Sequence, residues 1–215
     1  MKSSAAKSME NEGEKMLKEQ LEKVRGQMPL IHNITNYVTV NDCANILLAC
    51  GGSPIMADDL EEAEEITAVC GGLNINIGTL NRNTIPSMLA AGKKANACGH
   101  PVLLDPVGAG ASRLRTETAR RLLKEVHFTA IRGNISEIKT LALGMGGARG
   151  VDADGMDAVT DANLESTILF AGRFAEDTGA IVAITGAIAI VNEGAFAWVI
   201  RKGPPMMRKV HGPGC

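Results

Sequence analysis

The chain has 215 residues, of which 45% are hydrophobic and 21% charged, a balance that excludes a disordered or fibrous protein and suits one ordinary domain. Its 22 basic and 24 acidic side chains leave a net charge of −2, without the cationic excess that neutralising a nucleic-acid backbone requires. Cysteines at 43, 50, 70, 98 and 215 form no Cys-x-x-Cys pair, which argues against a disulfide framework or a zinc cluster and for a reducing compartment. No apolar stretch approaches the ~20 residues of a spanning helix, and the polar start lacks the apolar core of a signal peptide, so neither a membrane nor export is expected and cytoplasm is.

Residues 1–13 read as a polar, disordered tail, and 14–215 as a single domain. Leu17, Leu21 and Val24 then recur with the spacing of an amphipathic helix. From there short apolar runs at 54–57, 73–77, 102–104, 128–131 and 181–184 are separated by helical patterns, such as Ala119, Leu122, Leu123, Val126 and Leu164, Ile168, Ala171, Ala175. This rhythm predicts an α/β fold with a mainly parallel central sheet and helices on both faces. Runs at 187–191, 195–200 and 206–210 follow with only turns between them, which predicts an antiparallel edge hairpin near the C-terminus. Residues 142–155 read as a long Gly-rich loop. The acidic stretch Asp58, Asp59, Glu61, Glu62, Glu64 and Glu65 reads as a solvated helix start favoured by the helix dipole, in preference to a metal trap. Cys70 and Cys98, each beside a glycine, read as small buried apolar residues.

Ligands of open α/β sheets sit outside the carboxyl ends of the strands, so the residues that follow each apolar run are the informative ones. Here they are Met56-Ala57-Asp58, Gly78-Thr79, Asp105-Pro106, Arg132-Gly133-Asn134 and Thr185-Gly186. One rim thus collects a carboxylate, a guanidinium, a hydroxyl and glycines, the inventory for holding a polyphosphate with a divalent cation. The common nucleotide motifs are missing. There is no GxxxxGK[ST], and the nearest approach to GxGxxG, at residues 144–149, puts Arg149 at the last glycine and follows a helical pattern. Each rim residue also has a purely structural alternative. Asp105 before Pro106 suits a turn, Thr185-Gly186 a hairpin entry, and Met56 core filling. Glu137, three residues after Asn134, suits a cap-and-return pair at a helix start.

Six ordered blocks make the pattern more specific than any one of them: 29–38 (PLIHNITNYV), 53–57 (SPIMA), 76–80 (NIGTL), 104–110 (LDPVGAG), 132–134 (RGN) with Glu137, and 184–186 (ITG). Together they make the chain resemble the hydroxyethylthiazole kinase family from about Pro29 to Cys215. The resemblance implies a ribokinase-like fold. It implies phosphorylation of the primary alcohol of 4-methyl-5-(2-hydroxyethyl)thiazole by ATP with Mg²⁺ in thiamine salvage, and a homotrimer with the site between subunits. Carried over by position, Asn36, Met56, Gly78 and Gly212 would bind the alcohol, with Met56 supplied across the interface. Arg132, Thr185 and Gly214 would bind ATP, Asp105 and Glu137 would act through Mg²⁺, and Cys215 would be the catalytic base.

Two departures from the family pattern bear on the phosphate site. Gly212-Pro213-Gly214-Cys215 places a proline, which has no N–H, inside a turn expected to donate to phosphate. The sequence also stops at Cys215, where the family continues into a helix, so the chain is expected to be part of a longer enzyme lacking its C-terminal helical segment. Two alternatives carry different expectations: another small-alcohol kinase of the same fold, of the pyrimidine-methanol type, or a trimeric nucleotide- or thiazole-binding protein without turnover.

Overall fold

Strands and helices alternate along the chain in the computed structural model, which describes residues 4–144 and 158–201. Helix α1 (Ser4–Gln27) leads into β1 (Leu30–Ile34), α2 (Val40–Cys50), β2 (Ser53–Met56), α3 (Ala63–Val69), β3 (Gly72–Asn76), α4 (Thr84–Cys98) and β4 (Val102–Asp105). Then come α5 (Arg113–Glu125), β5 (Ala130–Asn134), α6 (Ile135–Gly144), α7 (Leu164–Thr178), β6 (Ile181–Thr185), β7 (Ala189–Asn192) and β8 (Ala197–Ile200). The strands form one sheet in the order β2-β1-β3-β4-β5-β6-β7-β8, parallel from β2 to β6 and antiparallel from β6 to β8. The parallel sheet with an antiparallel C-terminal edge is the architecture that the alternation of patterns predicts.

The connection from β1 to β2 runs in the opposite direction along the sheet to every later parallel connection. Right-handed crossovers therefore place α2 against one face and the later helices against the other. On the crowded face Ile75, Leu104, Ile131 and Ile184 pack with Met88, Leu122, Ile138 and Phe174 of α4, α5, α6 and α7, all at most 2% exposed. The other face is covered less evenly: Cys43, Ile46 and Leu47 of α2 border a hollow of about 490 Å³ that runs over β1, β3, β4 and β5.

Four details differ from the sequence pattern, each for a local reason. α1 begins at Ser4 and includes most of the stretch whose polarity suggests a tail; Ala, Lys, Met and Glu are good helix formers, and polarity alone does not separate a solvated helix from coil. β1 has no continuous apolar run because His32 and Asn33, both buried, interrupt it. β5 starts two residues later than its apolar run and continues through Arg132 and Gly133 to Asn134, where it pairs with Thr185 of β6. Cys70 is buried, as its neighbours suggest, but Cys98 is exposed at the last position of α4, where the glycine after it marks the helix leaving the core. Of the C-terminal runs, 187–191 and 195–200 contain β7 and β8. The run at 206–210 and most of the Gly-rich segment lie outside the described residues.

The contact between α4 and the end of α5 leaves no room at Gly92. A Cβ there would lie 2.6 Å from Cγ2 of Val126, itself only 4% exposed. Gly92→Ala gains ~1 kcal/mol of helix propensity but must displace a packed β-branched side chain, at ~1–3 kcal/mol. The variant is expected to unfold at a lower urea midpoint than the native protein. An equal or higher midpoint would show that the α4–α5 contact yields without strain.

Candidate active site

Parallel strands deliver their carboxyl ends to one edge of the sheet, and register sets who meets whom. Asn33 stands opposite Met56, Asn76 opposite Asp105, and Asn134 opposite Thr185. Along this rim Met56, Asn36, Gly78, Asp105, Arg132 and Thr185 therefore follow one another in the strand order β2, β1, β3, β4, β5, β6. The point where β1 is flanked by both β2 and β3 is where the connections reverse direction, the usual place for a crevice in such sheets.

The centre of the rim is one chain of hydrogen bonds. Asn36, 3% exposed, turns the backbone after β1: its Oδ1 accepts from Val38 N, Thr39 N and Thr39 Oγ1, each at 3.1 Å. Its Nδ2 donates to Asn76 Oδ1 at 3.2 Å, and Asn76 Nδ2 donates to Asp105 Oδ2 at 2.9 Å. Arg132 closes the chain, with Nη1 3.3 Å from the same carboxylate oxygen. Gly78 lies against both asparagines, since a Cβ there would sit 2.9 Å from Asn36 Cβ and from Asn76 Oδ1.

Asp105 is 3% exposed, and its Oδ1 has no hydrogen-bond partner among the described residues. Burial pushes its carboxyl up to about 7; the Arg132 guanidinium pulls the other way and the nearby Glu137 charge adds to the rise. A buried carboxylate oxygen left unpartnered beside a cation is costly unless a ligand completes it. Asp105 therefore fits a divalent cation. Among the described residues no three His, Cys, Asp or Glu side chains gather as a metal cage. Mg²⁺ needs none, because one or two carboxylates with waters and substrate phosphates normally hold it.

Glu137 adopts the cap-and-return arrangement in full. Its N–H donates to Asn134 Oδ1 at 2.9 Å while its Oε2 accepts from Asn134 N at 2.8 Å. Its Oε1 accepts from Gly108 N at 2.8 Å, so the same side chain fixes the loop after Asp105 to the start of α6. Thr185 ends β6 with its hydroxyl donating to the Gly133 carbonyl at 3.2 Å. Met56 ends the edge strand, 36% exposed, three strand spacings or ~14 Å from Asp105. Gly212, Gly214 and Cys215 lie outside the described residues.

Three residues that sequence reasoning left without a role help build the site. Asn76 carries the central link. Arg115 of α5 donates from Nη2 to the Gly78 carbonyl at 2.7 Å and from Nη1 to the Val107 carbonyl at 2.9 Å, tying the loops after β3 and β4 together. His32, fully buried, reaches the Ala57 carbonyl with Nε2 at 2.7 Å and Thr67 Oγ1 with Nδ1 at 2.8 Å, which anchors the turn beyond Met56. Burial lowers the His32 pKa, and the nitrogen that faces the Ala57 carbonyl carries a proton, since a carbonyl oxygen only accepts. A signal for Asn76 was present: in Leu73-Asn74-Ile75-Asn76-Ile77 asparagine occupies alternate positions of a central parallel strand, where apolar residues are the rule.

A model of the hydroxyethylthiazole kinase family matches residues 21–215. A hydroxyethylthiazole kinase from Clostridium acetobutylicum is 67% identical over 200 residues, covering 93% of this chain and 73% of the relative. One from Desulfovibrio desulfuricans is 56% identical, covering 91% and 68%. Among solved structures, the hydroxyethylthiazole kinase protein from Pyrococcus horikoshii OT3 superposes with a TM-score of 0.81 at 36% identity, covering 92% of this chain and 71% of that one.

Proposed function

The chain belongs to the hydroxyethylthiazole kinase family, and we propose that it transfers the terminal phosphoryl group of ATP, with Mg²⁺, to the primary alcohol of 4-methyl-5-(2-hydroxyethyl)thiazole in thiamine salvage. The observation that carries the chemistry is the buried Asp105 carboxylate, one oxygen unpartnered, beside the Arg132 guanidinium at the carboxyl end of the sheet. In this reading Asn36 and Gly78 bind the alcohol. Arg132 and Thr185 hold the phosphates. Asp105, with Glu137 directly or through water, holds the cation, which when bound offsets phosphate charge. Gly212 and Gly214 border the reacting groups, and Cys215 takes the proton of the substrate hydroxyl.

Phosphoryl transfer depends more on positioning and charge stabilisation than on proton removal, so Arg132 and the Asp105 carboxylate outrank the base. A general base contributes ~10²–10⁴-fold, and a thiol of ordinary pKa ~8.5 is mostly protonated at neutral pH. A carboxylate at the same position removes that limit. Met56 is the member that a single chain serves least well. Its exposure on the edge strand and its ~14 Å separation from Asp105 support a homotrimer in which a neighbouring subunit's Met56 completes the alcohol pocket. No helix among the described residues is long and apolar enough to cross a membrane. The proposed dependence on ATP supports a reaction in the cytoplasm.

Single-turnover assays of the full-length protein with ATP, Mg²⁺ and a panel of alcohols test this reading. The thiazole alcohol is expected to be phosphorylated in preference to a pyrimidine methanol. Calorimetry that detects both ligands while no ADP forms would instead favour a binding protein. In the same assay Cys215→Asp is expected to work at least as well as the native protein. A folded but inactive variant would remove Cys215 from the role of base.

A further inference from the structure

Asn76 has no role in the kinase reading as described so far, yet it is the link that joins Asn36 and Gly78 to Asp105 in the central chain. It is 2% exposed and sits at the last position of β3, between the strand that leads to Asn36 and the strand that ends in Asp105. Its two amide atoms face opposite halves of the site. Oδ1 accepts from Gly78 N at 2.8 Å and from Asn36 Nδ2 at 3.2 Å, both on the alcohol side. Nδ2 donates to Asp105 Oδ2 at 2.9 Å, on the phosphate side.

These contacts leave the amide one orientation. A flip would turn NH₂ toward two donors, Gly78 N–H and the Asn36 amide, and a carbonyl oxygen toward the Asp105 carboxylate. Asn36 is fixed in turn by three donors at the start of α2, so the orientation is imposed from the alcohol-binding loop and passed to the carboxylate. At Asp105, Asn76 and Arg132 both engage Oδ2, which leaves Oδ1 as the buried oxygen without a partner among the described residues.

We infer that Asn76 is a positioning residue for phosphoryl transfer, whose single amide orients the alcohol-binding turn with its oxygen and the Asp105 carboxylate with its nitrogen. This deepens the kinase reading and rests on it. Other side chains of similar size fail in distinguishable ways. Ionised aspartate keeps the acceptor for Gly78 and Asn36, removes the donor to Asp105 and sets a second carboxylate against it, whereas alanine removes both contacts without adding charge.

The test compares native protein, Asn76→Asp and Asn76→Ala in three measurements: the affinity for the thiazole alcohol without nucleotide by calorimetry, the affinity for Mn²⁺·ATP by electron paramagnetic resonance, and kcat with both KM values. Asn76→Asp is expected to bind the alcohol within about threefold of the native protein, while kcat and Mn²⁺·ATP affinity fall by about 10–100-fold, the usual effect of removing a partner that orients a metal-binding carboxylate. Asn76→Ala is expected to weaken alcohol binding about tenfold as well, the loss of a net hydrogen bond or two. A merely structural asparagine would lower the melting temperature without this split, so folded variants with native kcat and native Mn²⁺·ATP affinity overturn the inference. If Asn76→Asp does not fold, Asn76→Ala decides on the same Mn²⁺·ATP criterion. A native protein that phosphorylates no thiazole alcohol refutes the function, and the Mn²⁺·ATP affinities of the variants then judge Asn76 separately.

Discussion

Asp105→Asn is expected to lose about 10³-fold in kcat and, at pH 8, to melt at a higher temperature than the native protein without ligands. Both effects come from the same buried carboxyl. In the unfolded chain it ionises near 3.8, whereas burial in the folded protein pushes it up to about 7. Between these values the folded state holds a proton that the unfolded state has released. This contribution therefore favours folding in acid and is lost as the pH rises through about 7, by ~4 kcal/mol at most. An asparagine is neutral throughout. Its oxygen can accept from Asn76 and Arg132 where Asp105 Oδ2 now does, so the variant avoids the loss. Melting temperatures of both proteins at pH 5 and pH 8 measure the effect, and the gap in favour of Asp105→Asn should widen from the lower pH to the higher. If native protein at pH 8 proves as stable as the variant, burial does not govern this carboxyl.

Arg132→Ala is expected to cost about 10³–10⁴-fold in kcat, well beyond any effect of Cys215→Asp, because in the proposed reading it removes the guanidinium that offsets the charge of the transferring phosphoryl group. The guanidinium also lies 3.3 Å from Asp105 Oδ2, where it opposes the rise in that carboxyl's pKa. Its removal therefore impairs two groups together. Arg132→Lys should recover part of the loss, since a point charge replaces the fork without its paired donors. Steady-state kinetics with ATP as the varied substrate separates these variants. Near-native activity of Arg132→Ala would remove the phosphate assignment and leave Arg132 as a counterion to Asp105.

Several candidate site residues were legible because a strand's end is marked in sequence by the change from apolar to polar or glycine residues. That rule found Gly78, Asp105, Arg132 and Thr185, and each stands on the same rim. Glu137 was equally legible as a capping residue, three positions from Asn134, and the structure forms that pair. The rule failed where a buried residue is polar. His32 and Asn33 hide β1 from a search for apolar runs, and Asn76 was overlooked inside a motif noticed for other residues.

The alternation of most strands and helices, the parallel sheet with its antiparallel edge, and most of the groups on the rim follow from the sequence alone, because hydrophobic periodicity and turn residues act over a few neighbouring positions. Which groups touch was decided only in three dimensions. Asn36, Asn76 and Asp105 are separated by 40 and 29 residues along the chain. Their meeting depends on β1 lying between β2 and β3 and on the register that sets Asn76 opposite Asp105. The same is true of the Asp105 carboxyl, whose raised pKa arises from burial, a property of the packed molecule that no local pattern contains.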